Sequence, residues 1–212
     1  MRTETLIQAL VEDGRAKEAS LPLRFAVAIL IGFAVSTALF LATLGPRPDA
    51  AAALRTPRYP LKIFEALLLA STAASLAMQL SRPGAETRRA RLAMLAAPAL
   101  LVATLVAELL VVSPGDWTTR LVGSNSRVCL TAIPLLSLPL LAAVLYALGA
   151  GAPTRPGLAG AVAGLLASGL AAALYAIHCP DDSPLFVAAW YSIAIAGVSL
   201  VGAAAGRYLL RW

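Results

Sequence analysis

FAVAILIGFAVSTALFLATLG, residues 25–45, carries no charged side chain from one end to the other. A helix crosses the hydrocarbon core of a bilayer with roughly 20 apolar residues, so this stretch is long enough to span. Five further stretches share its character: residues 63–80 with Glu65 near the start, 92–113 with Glu108 near the end, 128–148 with Pro134 and Pro139 inside, 157–177 and 185–210. All are rich in Leu, Ala and Val, and none alternates as barrel strands do. Backbone groups in lipid must be satisfied within their own segment, which makes each stretch a helix. The expected fold is therefore an all-α integral membrane protein with six transmembrane helices. Residues 25–45 do not read as a cleaved signal peptide: they are too long for an h-region, follow a polar tail and precede five more spans. The chain divides into a tail, 1–24, and a transmembrane domain, 25–212.

Composition agrees. Of 212 residues, 59% are hydrophobic and 13% charged, with a mean hydropathy of +0.80. Soluble domains carry about 25% charge and about 45–50% apolar residues. The balance excludes a soluble globule, a disordered chain and a coiled coil, and little is left over for a large catalytic domain. The net charge of +6 would suit nucleic acid if it were clustered, but the basic residues lie between spans, where they report topology. The tail (Arg2, Arg15, Lys17, Arg24), the second loop (Arg82, Arg88, Arg89, Arg91), Arg155, Arg207 and Arg211 fall on one side. Arg47, Arg55, Arg58, Lys62, Arg120 and Arg127 fall on the other. The majority predicts both termini in the cytosol, N-in and C-in, with the first loop running against the trend. Direct contact with nucleic acid is not expected; the lipid bilayer is.

In the tail, residues 5–18 are expected to form a short amphipathic helix. Thr5 and Gln8 have capping-box spacing, and Leu6, Ile7, Leu10 and Val11 share a face flanked by Glu4, Glu12 and Asp13. Such a helix can lie on lipid headgroups or dock its apolar stripe in a partner's groove. The acidic flanks count against an anionic leaflet. Gly160 and Gly164, and Gly202 and Gly206, form GxxxG pairs, with Gly169 and Ala173 extending the small face. These are expected to pack spans five and six within the bundle.

With N-in topology, Cys129 and Cys179, the two cysteines, fall at the outer face, where disulfides persist. Cys129 alone reads as a small buried hydrophobe. Cys179 stands in the polar run His178-Cys179-Pro180-Asp181-Asp182-Ser183-Pro184, which suggests thiol chemistry. Pairing requires Cα atoms within about 7 Å. His178, the single histidine, can cap a helix end or join Cys179, Asp181 and Asp182 around a thiophilic metal. Asp181 or Asp182 can instead cap the loop or the sixth helix. Glu65 and Glu108 sit where a charge is costly and so face the interior, an ion pair or a proton or cation path. Lys62, Arg58, Arg120 and Arg127 are the expected partners. Gly123-Ser124-Asn125-Ser126 lies in a loop, and P-loop, CxxC and paired-His zinc motifs are missing, so no enzyme and no cofactor are expected.

Three features together resemble the NrsF family of six-span membrane anti-sigma factors, negative regulators of extracytoplasmic-function sigma factors. These are the run from His178 to Val187 continuing to Trp190-Tyr191, the segment Arg127-Val128-Cys129-Leu130 followed by Pro134, and the tail pattern Thr5-Leu6-Ile7…Leu10…Asp13. The resemblance covers almost the whole chain. An acidic residue usually precedes the family's Leu-Ile pair; here that place holds Thr5, with Glu4 one earlier. The resemblance implies a multi-pass protein of the bacterial inner membrane whose tail (Thr5, Leu6, Ile7, Leu10, Val11, Asp13) holds a cytosolic sigma factor. It also implies sensing of an oxidant or thiophilic metal at Cys129 and Cys179, with His178, Asp181 and Asp182 as accessory residues. Two other classes stay open: a small transporter or channel using Glu65 and Glu108, and a membrane thiol oxidoreductase.

Overall fold

A computed structural model describes residues 3–5, 7 and 20–211. Among these, six helices are long and apolar enough to cross a membrane: α1 (Leu21–Thr43), α2 (Arg58–Leu80), α3 (Arg88–Val111), α4 (Ser126–Gly149), α5 (Pro156–His178) and α6 (Pro184–Leu209). Short helices, Ala50–Ala53 and Trp117–Val122, lie in the connections. Proline opens α5 and α6 and stands in the first turn of α1, where its missing N–H costs nothing. Ser183 caps α6, its Oγ accepting from the Leu185 N–H at 3.3 Å.

Two spans depart from regular geometry. The turn at Met94 and Leu95 interrupts α3. Pro98 accounts for it, because proline has no N–H for the carbonyl of Met94, and its ring crowds that same carbonyl. In α6, Val187–Tyr191 winds as a π-helix, a form frequent at functional sites. The apolar pattern announces neither. The helix α2 starts at Arg58, five residues before the apolar stretch, because Arg58 and Lys62 in its opening turns find anionic partners inside the bundle.

The helix α5 is the most enclosed element and packs against α2, α4 and α6, while α1 packs on α4. A Cβ on Gly160 would fall on the Gly202 carbonyl oxygen and within 2.8 Å of the Gly206 Cα. The backbones of α5 and α6 therefore touch, as the GxxxG pairs led us to expect; van der Waals packing of this kind replaces the hydrophobic drive that lipid removes. Gly169 differs: a Cβ there would meet Ala70 N at 3.0 Å and Ala66 O at 3.1 Å of α2. The small residues of α5 thus form two faces, because positions 164 and 169 point to different neighbours on a 3.6-residue helix. The helix α3 is peripheral and leaves Leu95, Val102, Leu110 and Val111 exposed, an outer surface suited to lipid.

Residues 3–5 and Ile7 are helical, and Thr5 and Ile7 are exposed. Leu6, Leu10, Val11 and Asp13 lie outside the described residues.

Candidate functional site

The polar residues singled out in the sequence converge at one end of the bundle. It is built from the end of α1, the first turns of α2, the end of α3, the α3–α4 connection, the start of α4 and the α5–α6 loop.

Cys129 on α4 and Cys179 after α5 belong to one buried cluster with Tyr175, Phe186 and Tyr191. Both are free thiols, and both are 0% exposed. Cys179 is thus as deeply buried as Cys129, although it stands in a polar run. The chain turns Cys179 inward because its own carbonyl, not its thiol, meets the neighbouring charges: Lys62 Nζ donates to it at 2.6 Å and Arg47 at 3.4 Å. Burial pushes the Cys179 thiol above its ordinary value, opposed by the nearby Lys62 charge. It is therefore a protonated thiol at neutral pH, slow to react until the cluster opens.

His178, Asp181 and Asp182 flank the thiols, and each is occupied. The His178 ring donates from Nδ1 to the Gly45 carbonyl at 3.0 Å; a carbonyl only accepts, so the tautomer is fixed. The Asp181 carboxylate accepts from the backbone N–H groups of Ser124 and Asn125, the latter at 2.9 Å, and thereby ties the α5–α6 loop to the entrance of α4. Asp182 binds Lys62 and Arg47. The cap of the sixth helix, expected of Asp181 or Asp182, falls to Ser183 instead, and Asp181 serves the head of α4. Among the described residues, no three His, Cys, Asp or Glu side chains come together to hold a metal ion.

The sequence did not single out Arg47, and it did not pair Lys62 with Asp182. Lys62 is 2% exposed, which a lysine tolerates only when paired. Both Lys62 and Arg47 lie over the Tyr59 ring, at 5.3 and 5.4 Å. Arg47 also forms a fork on Asp49 at 2.7 Å for each bond. The pairing raises Arg47 further above its already high value against a burial cost and lowers Asp49. The Arg47 N–H donates to the Ile177 carbonyl at 3.1 Å. Together with the His178–Gly45 bond, this fastens the end of α1 to the Cys179 loop. The helix α1 also grips the cysteine-bearing α4, Ser36 Oγ donating to the Leu136 carbonyl at 2.8 Å.

Glu108 and Glu65 part company. Glu108 accepts from Arg58 at 2.8 and 2.9 Å, from Arg120 at 3.0 Å and from Ser183 at 3.2 Å. Of the expected partners, Arg127 does not join, and Lys62 binds Asp182 instead of either glutamate. Glu65 takes one hydrogen bond, from Thr104 Oγ1 at 2.8 Å, and no cation among the described residues. Gly123 was the legible signal for this region: its φ is 59°, and a Cβ there would lie 2.5 Å from the Phe186 ring and 2.8 Å from Asp181 Cγ. Only glycine lets the loop close on α6.

The family model described as NrsF, negative regulator of sigma F, matches residues 10–212. The chain belongs to the NrsF family. Among curated NrsF proteins, the anti-sigma-F factor of Caulobacter vibrioides (strain NA1000 / CB15N) is 38% identical over 217 residues, covering all of both chains. The probable anti-sigma-F factor of Azospira oryzae (strain ATCC BAA-33 / DSM 13638 / PS) is 38% identical over 214 residues, again covering all of both. No solved structure matches. NrsF proteins are regulators rather than enzymes, which agrees with the enzyme motifs missing from the sequence.

Proposed function

We propose that this protein is a membrane anti-sigma factor whose cytosolic tail, residues 1–24, sequesters an extracytoplasmic-function sigma factor, and whose buried thiol pair, Cys129 and Cys179, triggers release. The family match across nearly the whole chain carries the regulatory part of this reading. The shared burial of the two thiols, beside the loop that fastens the end of α1, supports the trigger.

The arrangement implies a route. The tail leads directly into α1, and α1 is held at its far end by the Cys179 loop and along its length by α4, which bears Cys129. Oxidation by a hydroperoxide converts the two thiols to a disulfide, giving up two electrons and two protons as the peroxide is reduced to water and the corresponding alcohol, or to two waters if it is hydrogen peroxide. Joining the start of α4 to the α5–α6 loop changes both contacts of α1. A disulfide contributes about 2–4 kcal/mol, against roughly 5.5 kcal/mol for full conversion of a two-state element, so a graded response is expected. An oxidant suits the site better than a metal, since His178, Asp181 and Asp182 are committed to backbone and cationic partners. Ion flux is not favoured: Glu108 is closed off by two arginines, and Glu65 stands alone.

N-in topology places the thiols at the outer face. It gains support from the fate of the cations that opposed it: Arg47, Arg58, Lys62 and Arg120 are bound in ion pairs, so structural need accounts for their presence in those loops.

The tail is tested by the double substitution Leu6→Asp, Leu10→Asp. It should abolish co-purification of the sigma factor from native membranes while leaving membrane yield unchanged. Wild-type recovery of sigma by that variant contradicts the docking assignment.

A further inference from the structure

Between α2, α3 and α6, floored by Leu165 of α5, lies a cavity of about 530 Å³. Its walls are apolar, Leu69, Leu101 and Ile195 among them, and at one end stand Lys62, Glu65 and Tyr191. Lipid-sized pockets have this make-up: an apolar body with a few placed polar groups. Lys62 to Leu69 covers two helical turns, roughly 10 Å, enough for a short chain or a ring with a tail.

Three features mark the polar end. Glu65, 8% exposed, is an acid inside a span whose one protein partner among the described residues is Thr104, so its second oxygen has capacity to spare. Tyr191 is 2% exposed, and its hydroxyl, lying near the Cys179 thiol, has no partner at hydrogen-bonding geometry. A buried unsatisfied hydroxyl costs about 1–3 kcal/mol and calls for an explanation. The π-helical turn Val187–Tyr191 supplies Val187 and Tyr191 to the wall; a regular helix would place them differently.

The geometry points to this cavity as a binding site for a neutral, bilayer-soluble amphiphile with a hydroxyl or carbonyl head and an apolar body. Charge selects the head. An anionic head would meet Glu65 and a cationic one Lys62, whose own N–H groups are taken by Asp182 and by the Cys179 and Asp181 carbonyls. A neutral hydroxyl can donate to the spare Glu65 oxygen, and a neutral oxygen can accept from the Tyr191 hydroxyl. The same chemistry belongs to long-chain alcohols of lipid origin and to isoprenoid quinones. Tyr191 is a shared wall, lining the cavity from α6 and meeting the Tyr175 ring at a tilt, 5.7 Å between centroids, beside the thiols. The site stands independently of what the tail binds.

The test uses the full chain in lipid nanodiscs, photolabelled with a diazirine-bearing 1-dodecanol and mapped by peptide mass spectrometry. Labelling is expected at Leu69, Leu101 and Ile195, and excess unlabelled 1-dodecanol or decylubiquinone should compete it away, while dodecylamine and dodecanoate should not. The better competitor of the two neutral probes identifies the source. Glu65→Ala should weaken competition roughly tenfold, about the worth of one hydrogen bond to a charged group, with Glu65→Gln restoring most of it. Ala196→Trp, at the rim, should exclude the label. Label spread over the outward residues Leu110 and Tyr146 without competition in the wild-type chain overturns the assignment. So does competition by the charged amphiphiles equal to that by the neutral ones.

Discussion

Glu108 ties four parts of the bundle together. Its carboxylate, 5% exposed, gathers Arg58 from α2, Arg120 from the α3–α4 connection and Ser183 from the head of α6. Glu108→Ala leaves both guanidinium groups without their anion. The two arginines are more than a third exposed and can turn to water, so the loss is moderated by solvent, to roughly 1–3 kcal/mol. Thermal unfolding in detergent should show a clear fall in midpoint for Glu108→Ala and a smaller one for Glu108→Gln; an unchanged midpoint means that the network does not hold the helices. At Cys179 the prediction concerns pH. Burial holds the folded thiol above the ordinary value of about 8.5. The unfolded chain therefore releases its proton first as pH rises, the folded state binds more protons in that window, and stability falls with increasing pH above about 8.5. Cys179→Ser should remove that part of the alkaline slope; an identical slope contradicts the raised value. Residues of this kind were only partly legible. The cost of a charge in lipid directed attention to Glu65 and Glu108, and the sequence singled out both cysteines. Apart from Arg47 and Asp49, which cation meets which acid depends on contacts 12 to 135 positions apart along the chain, so Arg47 passed as an ordinary loop charge and Lys62 was assigned to the membrane glutamates, not to Asp182.

Among elements, the α5–α6 contact is the tightest, and it was readable because small-xxx-small spacing has a direct geometric meaning. Gly160→Leu must push the backbones apart, since even a Cβ falls on the Gly202 carbonyl. Overpacking costs about 1–3 kcal/mol, more where the neighbour is backbone. The expected result is loss of monodisperse protein on size exclusion, with Gly197→Leu, which meets nothing within 4 Å, behaving as wild type. Equal behaviour of the two variants refutes the close approach. The six apolar stretches were legible to within a few residues because length and hydropathy decide membrane crossing. The break at Met94 and the π turn at Val187–Tyr191 were not, because each depends on local backbone bonding that composition does not record. Pro98 marks the first after the fact, but Pro134 and Pro139 sit inside an unbroken α4, so proline alone is an unreliable sign.

At the scale of the molecule, the bundle joins two ends. One holds the thiols and the ion-pair network, and α1 runs from that end towards the tail. The order of coupling follows from attachment: the end of α5 and the Cys179 loop hold Gly45 and Arg47, and these residues follow directly on α1. A change confined to α3, which is peripheral, would reach the tail only through other helices, whereas a change at Cys129 or Cys179 acts on the neighbours of α1 at once. The central claim is that the chain holds a sigma factor and lets it go when the two thiols are oxidised. It is tested most directly by quantifying sigma factor co-purified with the full-length protein from membranes before and after exposure of cells to hydrogen peroxide, alongside Cys129→Ser and Cys179→Ser. The account predicts partial loss of sigma from the wild-type protein and undiminished retention by both variants at normal abundance. Equal loss from all three proteins, or no sigma factor bound at the outset, would contradict it.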